Sequence, residues 1–126
     1  MNSSLDTTYV LFEIREGILI GTYKKGVKID IHAAKEIVRS RLQFSNHKSL
    51  PALAINLGII GLDKEARDYF SSPEGLEGIA AGGILIDSPV TTMVSNFYLK
   101  VTKPKIPTKV FTDTHLALRW LSKFKN

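Results

Sequence analysis

The chain contains no cysteine among its 126 residues, so disulfide bonds and thiol chemistry play no part in it. Its apolar runs all fall short of the ~18 residues that a membrane-spanning helix needs. The first residues also lack the basic end and apolar stretch that mark a secretory signal. We therefore expect no transmembrane segment. The absence of cysteine does not indicate a cellular compartment, and we expect the cytoplasm by default.

Residues that commonly carry chemistry are also scarce. The three histidines, His32, His47 and His115, are far apart, and none has a partner at the i, i+4 spacing of metal ligands. Gly78, Gly82 and Gly83 are not followed directly by a helix, so they favour close packing in a strand over a phosphate-binding loop. The sequence predicts no catalytic residue, no metal ligand and no cofactor. We expect a protein that is not an enzyme.

The composition is that of one globular domain, with 44% hydrophobic and 23% charged residues. A chain of this length buries roughly two-thirds of its unfolded surface in a single core. We predict one domain over residues 1–126, with an ordered core at about 8–124.

Alternating or continuous apolar patterns predict five strands, at 9–15, 18–23, 50–57, 79–86 and 108–111. The first two flank Glu16-Gly17 and predict a hairpin. Helices are predicted after Asp30, Asp63, Asp87 and Asp113, each of which can cap a first turn.

Helical spacing also predicts which helix residues are buried. In the first helix, the predicted stripe includes Ile37, Val38 and Leu42, and Arg41 is assigned to the solvated side. In the last helix, Leu116 and Leu121 are among the residues expected to be buried. Strands alternating with helices predict an α/β fold, in which right-handed crossovers join parallel strands. The predicted domain is a mixed five-stranded sheet, with an N-terminal hairpin and parallel crossovers, packed against four helices.

The carboxyl ends of strands are where α/β proteins most often bind ligands. Several polar residues and glycines follow the predicted strands, and we predict that they form a partner or ligand surface: Asn56, Gly58, Gly61, Asp63, Lys64, Asp87, Ser88, Thr112 and Asp113.

Positive charge is concentrated at the end of the chain. Residues 1–99 hold 10 Lys and Arg against 11 Asp and Glu, whereas residues 100–126 account for the whole net charge of +5. A basic patch of Lys100, Lys103, Lys105 and Lys109 surrounds two prolines. It suits weak capture of an anionic surface, or it is a solubilising face. Because the patch has no arginine for paired contacts to bases, sequence-specific nucleic-acid binding is not expected.

The chain resembles the STAS-like proteins, in particular the anti-sigma-factor-antagonist-like (SpoIIAA-like) branch and its small uncharacterised bacterial members. The resemblance runs from Tyr9 to Phe124 and is carried by the segments 62–69, 87–90 and 103–108. It implies a STAS-like α/β domain that binds a protein partner or small ligand. In that family a hydroxyl after the family aspartate is phosphorylated. Here Asp63 matches the aspartate, but Lys64 and Glu65 replace the hydroxyl residues and Ala66 replaces the glycine.

The resemblance therefore implies a regulatory or partner-binding module without the phosphorylatable serine. Two alternatives stay open, a protein that binds a small or lipid-like ligand and a weak binder of anionic surfaces or nucleic acid. We expect the partner to be an unidentified protein or a small ligand, and homodimer formation is left open.

Overall fold

The computed structural model describes residues 4–86 and 105–125 and shows a mixed α/β fold. The strands are β1 (Ser4–Asp6), β2 (Val10–Arg15), β3 (Ile18–Tyr23), β4 (Lys28–Ile29), β5 (Leu50–Asn56), β6 (Gly61–Leu62), β7 (Ile79–Leu85) and β8 (Thr108–Phe111). The helices in these residues are α1 (Ile31–Phe44), α2 (Lys64–Phe70) and α3 (Thr114–Ser122).

Six of the strands form the main sheet, in the order β1-β2-β3-β5-β7-β8. The pairs β1–β2 and β2–β3 are antiparallel, and the other three pairs are parallel. The mixed sheet, with an N-terminal hairpin followed by parallel crossovers, agrees with the sequence prediction.

Local sequence signals fix the hairpin turn and the helix starts. Glu16 and Gly17 have φ values of 50° and 81°, the positive pair that a two-residue hairpin turn needs to match the strand twist. Three predicted caps are also confirmed, since a side-chain oxygen of Asp30, Asp63 or Asp113 accepts a hydrogen bond from a first-turn amide of α1, α2 or α3.

The predicted count of five strands is wrong. β1 adds a sixth strand to the main sheet, and β4 and β6 pair in parallel as a separate two-stranded sheet. The residues of β1 are all exposed, so they carry no apolar alternation, and backbone pairing with β2 holds them in place. The helix predicted after Asp87, the third of the four, lies outside the described residues.

The main sheet is covered on both faces. On one face, Val10, Phe12 and Leu19 pack with buried residues of α1 and α2. On the other face, Ile18, Ile20 and Leu53 pack with buried residues of α3. Neighbouring residues of β3 therefore face opposite layers, as the strand period of two requires.

Adjacent glycines of β7 have different roles on these two faces. A Cβ atom placed on Gly83 would lie 3.2 Å from Leu53 and 3.3 Å from Leu121, so its absence lets α3 pack closely. A Cβ atom on Gly82 would be 3.7 Å or more from its nearest neighbours, Thr108 and Ile106. The predicted close packing of a helix over this strand is confirmed at Gly83, whereas a Cβ atom at Gly82 would make ordinary van der Waals contacts.

The same substitution at Gly82 and Gly83 should therefore lower the free energy of unfolding by different amounts. Gly83→Val should lower the free energy of unfolding by about 1–3 kcal/mol, because it overpacks the α3 face. Gly82→Val should cost less, because the opposite face has room. Urea unfolding of both variants measures the difference, and equal or reversed costs would contradict this account of the packing.

Candidate functional site

Small residues stand side by side on the sheet face that α1 and α2 cover. In the strand register, Gly21 of β3 lies beside Ala54 of β5, and Ala52 of β5 lies beside Gly82 of β7. Large side chains at these positions would fill the space above the sheet. The four small ones leave it open.

The result is an apolar cavity of about 380 Å³ between this sheet face and α2. This volume falls within the ~300–1,000 Å³ range of small-molecule pockets. It extends along β5, because Ile79, beside the start of that strand, and Asn56, at its end, both line it. Most of the described lining residues are apolar, and the larger ones are Phe12, Leu19, Ile29, Leu53, Ile59, Leu62, Phe70, Leu76, Ile79, Ile84, Ile86 and Ile106.

Arg41 forms part of the cavity wall and is buried, with 7% of its surface exposed. Its Nη2 donates hydrogen bonds to the carbonyl oxygens of Gly75 at 3.1 Å and Glu77 at 2.6 Å. These bonds attach the loop before β7 to the end of α1. The predicted solvated position of Arg41 is wrong, because it follows Ile37 and Val38 by four and three residues and so shares their buried stripe.

The electrostatics around Arg41 reflect its burial. Desolvation lowers the pKa of Arg41 from its ordinary value, and the nearby Tyr23, Tyr69 and Glu77 oppose that shift. A guanidinium nevertheless stays charged at physiological pH. Burial also raises the pKa of Tyr69, with Glu74 adding to the shift, so this neighbour stays neutral. A permanent positive charge therefore borders an apolar space.

Asn56 is the predicted surface residue that the structure places on the cavity wall. Its Oδ1 accepts hydrogen bonds from the amides of Gly58 and Ile59 at 2.8 and 3.0 Å, which fixes the loop after β5. Gly58 has φ of 130°, a value that favours glycine, and its carbonyl accepts a bond from the Gly26 amide. These two predicted positions thus shape the carboxyl end of the cavity.

The other described positions of the predicted surface lie away from the cavity lining. Gly61 pairs within β6, and Asp63 is the exposed cap of α2. Lys64 forms an exposed ion pair with Asp68 at 2.8 Å. Thr112 and Asp113 are exposed ahead of α3. Asp87 and Ser88 lie outside the described residues.

Two large apolar side chains are exposed in the loop between β5 and α2. Leu57 is 57% exposed and Ile60 is 65% exposed, a few residues before Asp63 and Lys64. Single exposed apolar residues are common, and these two lie close together in the chain and near charged residues. By contrast, Leu116 on α3, which we predicted to be buried, is 49% exposed.

Half of the predicted basic patch is described. Lys105 and Lys109 are exposed, and the Nζ of Lys109 lies 5.7 Å from the ring centre of Trp120. Trp120 itself packs against Phe111 and Phe124, as expected of a half-buried core residue. Lys100 and Lys103 lie outside the described residues, so capture of anionic surfaces by this patch stays a prediction.

Within residues 4–86 and 105–125, no group of three or more His, Cys, Asp and Glu side chains is placed to hold a metal ion. None of the helices in those ranges is long and apolar enough to cross a membrane.

A family model described as a domain of unknown function, DUF7793, matches residues 12–125. The chain belongs to the DUF7793 family. No curated protein matches the chain.

Among solved structures, a DUF3478-family protein with a SpoIIAA-like fold from Shewanella loihica PV-4 superposes with a TM-score of 0.63 at 17% identity. The match covers 96% of this chain and 98% of that one. The SpoIIAA-like resemblance is therefore confirmed as a likeness of fold. A protein of unknown function from Arthrobacter sp. FB24 is 27% identical over 88% of this chain and 97% of its own, with a TM-score of 0.34.

The loop that Arg41 holds has a second steric requirement, at Gly75. A Cβ atom there would lie 1.9 Å from the carbonyl oxygen of Tyr69, a backbone atom that cannot rotate away. We expect Gly75→Ala to lower the free energy of unfolding by roughly 2–4 kcal/mol in a denaturant titration.

Gly26→Ala is the control for Gly75→Ala. Its Cβ would meet nothing within 4 Å, so only its positive φ of 82° opposes the change, at a cost of about 1–2 kcal/mol. A Gly75→Ala variant as stable as the parent would show that the loop is not packed as described.

Proposed function

We propose that this protein is a non-catalytic binding module of the STAS-like type that holds a small, largely apolar molecule in the cavity between the sheet and α2. The cavity is the observation that carries the proposal, because a preformed apolar space with a few polar groups is the usual form of a small-molecule site. Its volume of about 380 Å³ accommodates a ligand without rearrangement of the sheet.

The sequence supports this role over catalysis. The described polar groups on the wall include Asn56, Thr108 and Arg41, and no His, Asp or Glu, the most common general bases, is among the described lining residues. Asn56 and Arg41 also make hydrogen bonds that hold loops in place. Such an arrangement suits binding and orientation of a ligand.

Filling the cavity from its floor tests the proposal. Ala54→Leu should reduce ligand binding by at least tenfold, because the larger side chain occupies the space beside Gly21 and Ile84. Native mass spectrometry of the protein as isolated should show a bound small molecule on the parent and none on the variant. The same spectra report whether a homodimer is present.

Ile55→Leu is the matched control, because Ile55 packs on the α3 face of the same strand. It should keep the bound molecule. If the parent carries no ligand and takes up none from a panel of apolar compounds, or if both variants lose binding equally, the cavity is not the binding site.

A second candidate is the docking of a regulatory protein partner on the loop between β5 and α2. The exposure of Leu57 and Ile60 favours it, since apolar side chains near charged residues are typical of interface centres. Asp63 and Lys64 lie at the edge of this surface. Asp63 also caps α2, so Asp63→Asn, which keeps an oxygen for the cap, is a cleaner probe than alanine.

The double variant Leu57→Ser and Ile60→Ser tests this candidate. Both side chains are exposed, so the melting temperature should change little while capture of a partner in a pull-down is lost. Leu116→Ser, at an exposed position on α3, is the control and should retain capture. Retention of the partner by the double variant would exclude this loop as the docking site.

A further inference from the structure

We propose that the molecule held in the cavity is a single-chain amphiphile whose head is an anionic oxygen group, a carboxylate or a phosphate, recognised by Arg41. This inference rests on the proposed function, because it names the ligand class of the same cavity.

The described wall of the cavity carries positive charge and no negative charge. In the part of the chain that the structure describes, the charged residues lining the cavity are Arg41 and Arg67, and no Asp or Glu lines it. The remainder of the lining is mostly apolar. A positive charge in apolar surroundings is costly unless a negative group accompanies it. A ligand with an apolar body and an anionic head satisfies both parts of the wall.

Arg41 is buried without a carboxylate partner among the described residues. Among the described residues, no carboxylate lies within the 4.0 Å of a salt bridge to Arg41. The carboxylate of Glu77 is largely exposed and lies 3.8 Å from His47 Nδ1. The hydrogen-bond partners of Arg41 are two neutral carbonyl oxygens. Its charge is thus buried without a countercharge in the described chain.

Two nitrogens of the Arg41 guanidinium are not used by the loop before β7. Both hydrogen bonds to Gly75 and Glu77 start from Nη2, so Nε and Nη1 have no hydrogen-bond partner among the described residues. The side chain lines the cavity, and an anion there can accept their hydrogen bonds.

The geometry also limits how the head is held. A guanidinium presents its paired N–H edges through Nη2, and Nη2 is already engaged by Gly75 and Glu77. The anion therefore takes single charge-assisted bonds from Nη1 or Nε. Such bonds recognise charge more than planar shape, so carboxylate and phosphate heads both fit.

Calorimetric titration with four probes of equal chain length tests the inference: dodecanoate, dodecyl phosphate, dodecanol and dodecyltrimethylammonium, each below its aggregation concentration and at physiological salt. The parent protein should bind dodecanoate, dodecyl phosphate or both about 10- to 100-fold more tightly than dodecanol. One charge-assisted hydrogen bond from Arg41 accounts for a difference in affinity of this size. The tighter of the two anions identifies the head group. Dodecyltrimethylammonium should bind no better than dodecanol.

Arg41→Met keeps the length of the side chain and removes the charge, and it should reduce the preference for the anions to about that of dodecanol. Arg39→Met is the matched control, because Arg39 lies exposed on the same helix, and it should leave the preference unchanged. If Arg41→Met does not fold, the head-group ranking of the parent decides: tighter binding of an anion than of dodecanol supports the inference, and equal binding overturns it.

Three results would overturn the inference. Equal affinity of the parent for dodecanol and both anions would refute the anionic head while leaving the apolar cavity site intact. Equal losses in Arg39→Met and Arg41→Met would assign the effect to general surface charge. Failure of all four probes to bind would remove the proposed function as well.

Discussion

The buried guanidinium of Arg41 joins three parts of the molecule. It extends from the end of α1, holds the carbonyl oxygens of Gly75 and Glu77 ahead of β7, and forms part of the cavity wall. Burying such a charge costs several kcal/mol after relaxation, and two carbonyl dipoles return only part of that cost. The end of α1, the path of the loop before β7 and the polarity of the cavity are therefore linked through one side chain.

The two faces of the sheet differ in how small residues are used. On the α3 face, Gly83 lacks a side chain where Leu53 and Leu121 pack, so the helix fills the space. On the other face, Gly21, Ala52, Ala54 and Gly82 lie together, and the described residues leave a cavity above them. Small residues in a strand thus promote close packing or leave a cavity, depending on what lies above them.

Local features of this fold could be predicted from the sequence, because their causes are local. The caps at Asp30, Asp63 and Asp113 depend on one side chain and the next turn. β1 could not be predicted, since its residues are exposed and its order comes from pairing with β2. The cavity could not be predicted from the sequence either, because it depends on the strand register that puts Ala52 beside Gly82. The burial of Arg41 could have been predicted, since its helical spacing from Ile37 and Val38 outweighs the usual exposure of arginine.

The most direct measurement of the central claim is the location of a bound chain by NMR, using protein labelled at isoleucine and leucine methyl groups and saturated with dodecanoate. The account predicts intermolecular NOEs from the ligand chain to the methyl groups of Ile79, Ile84 and Ile86, which line the cavity. It predicts none to Ile18, Ile20 or Leu121 on the α3 face. Contacts confined to the α3 face, or to the exposed Leu57 and Ile60, would contradict it.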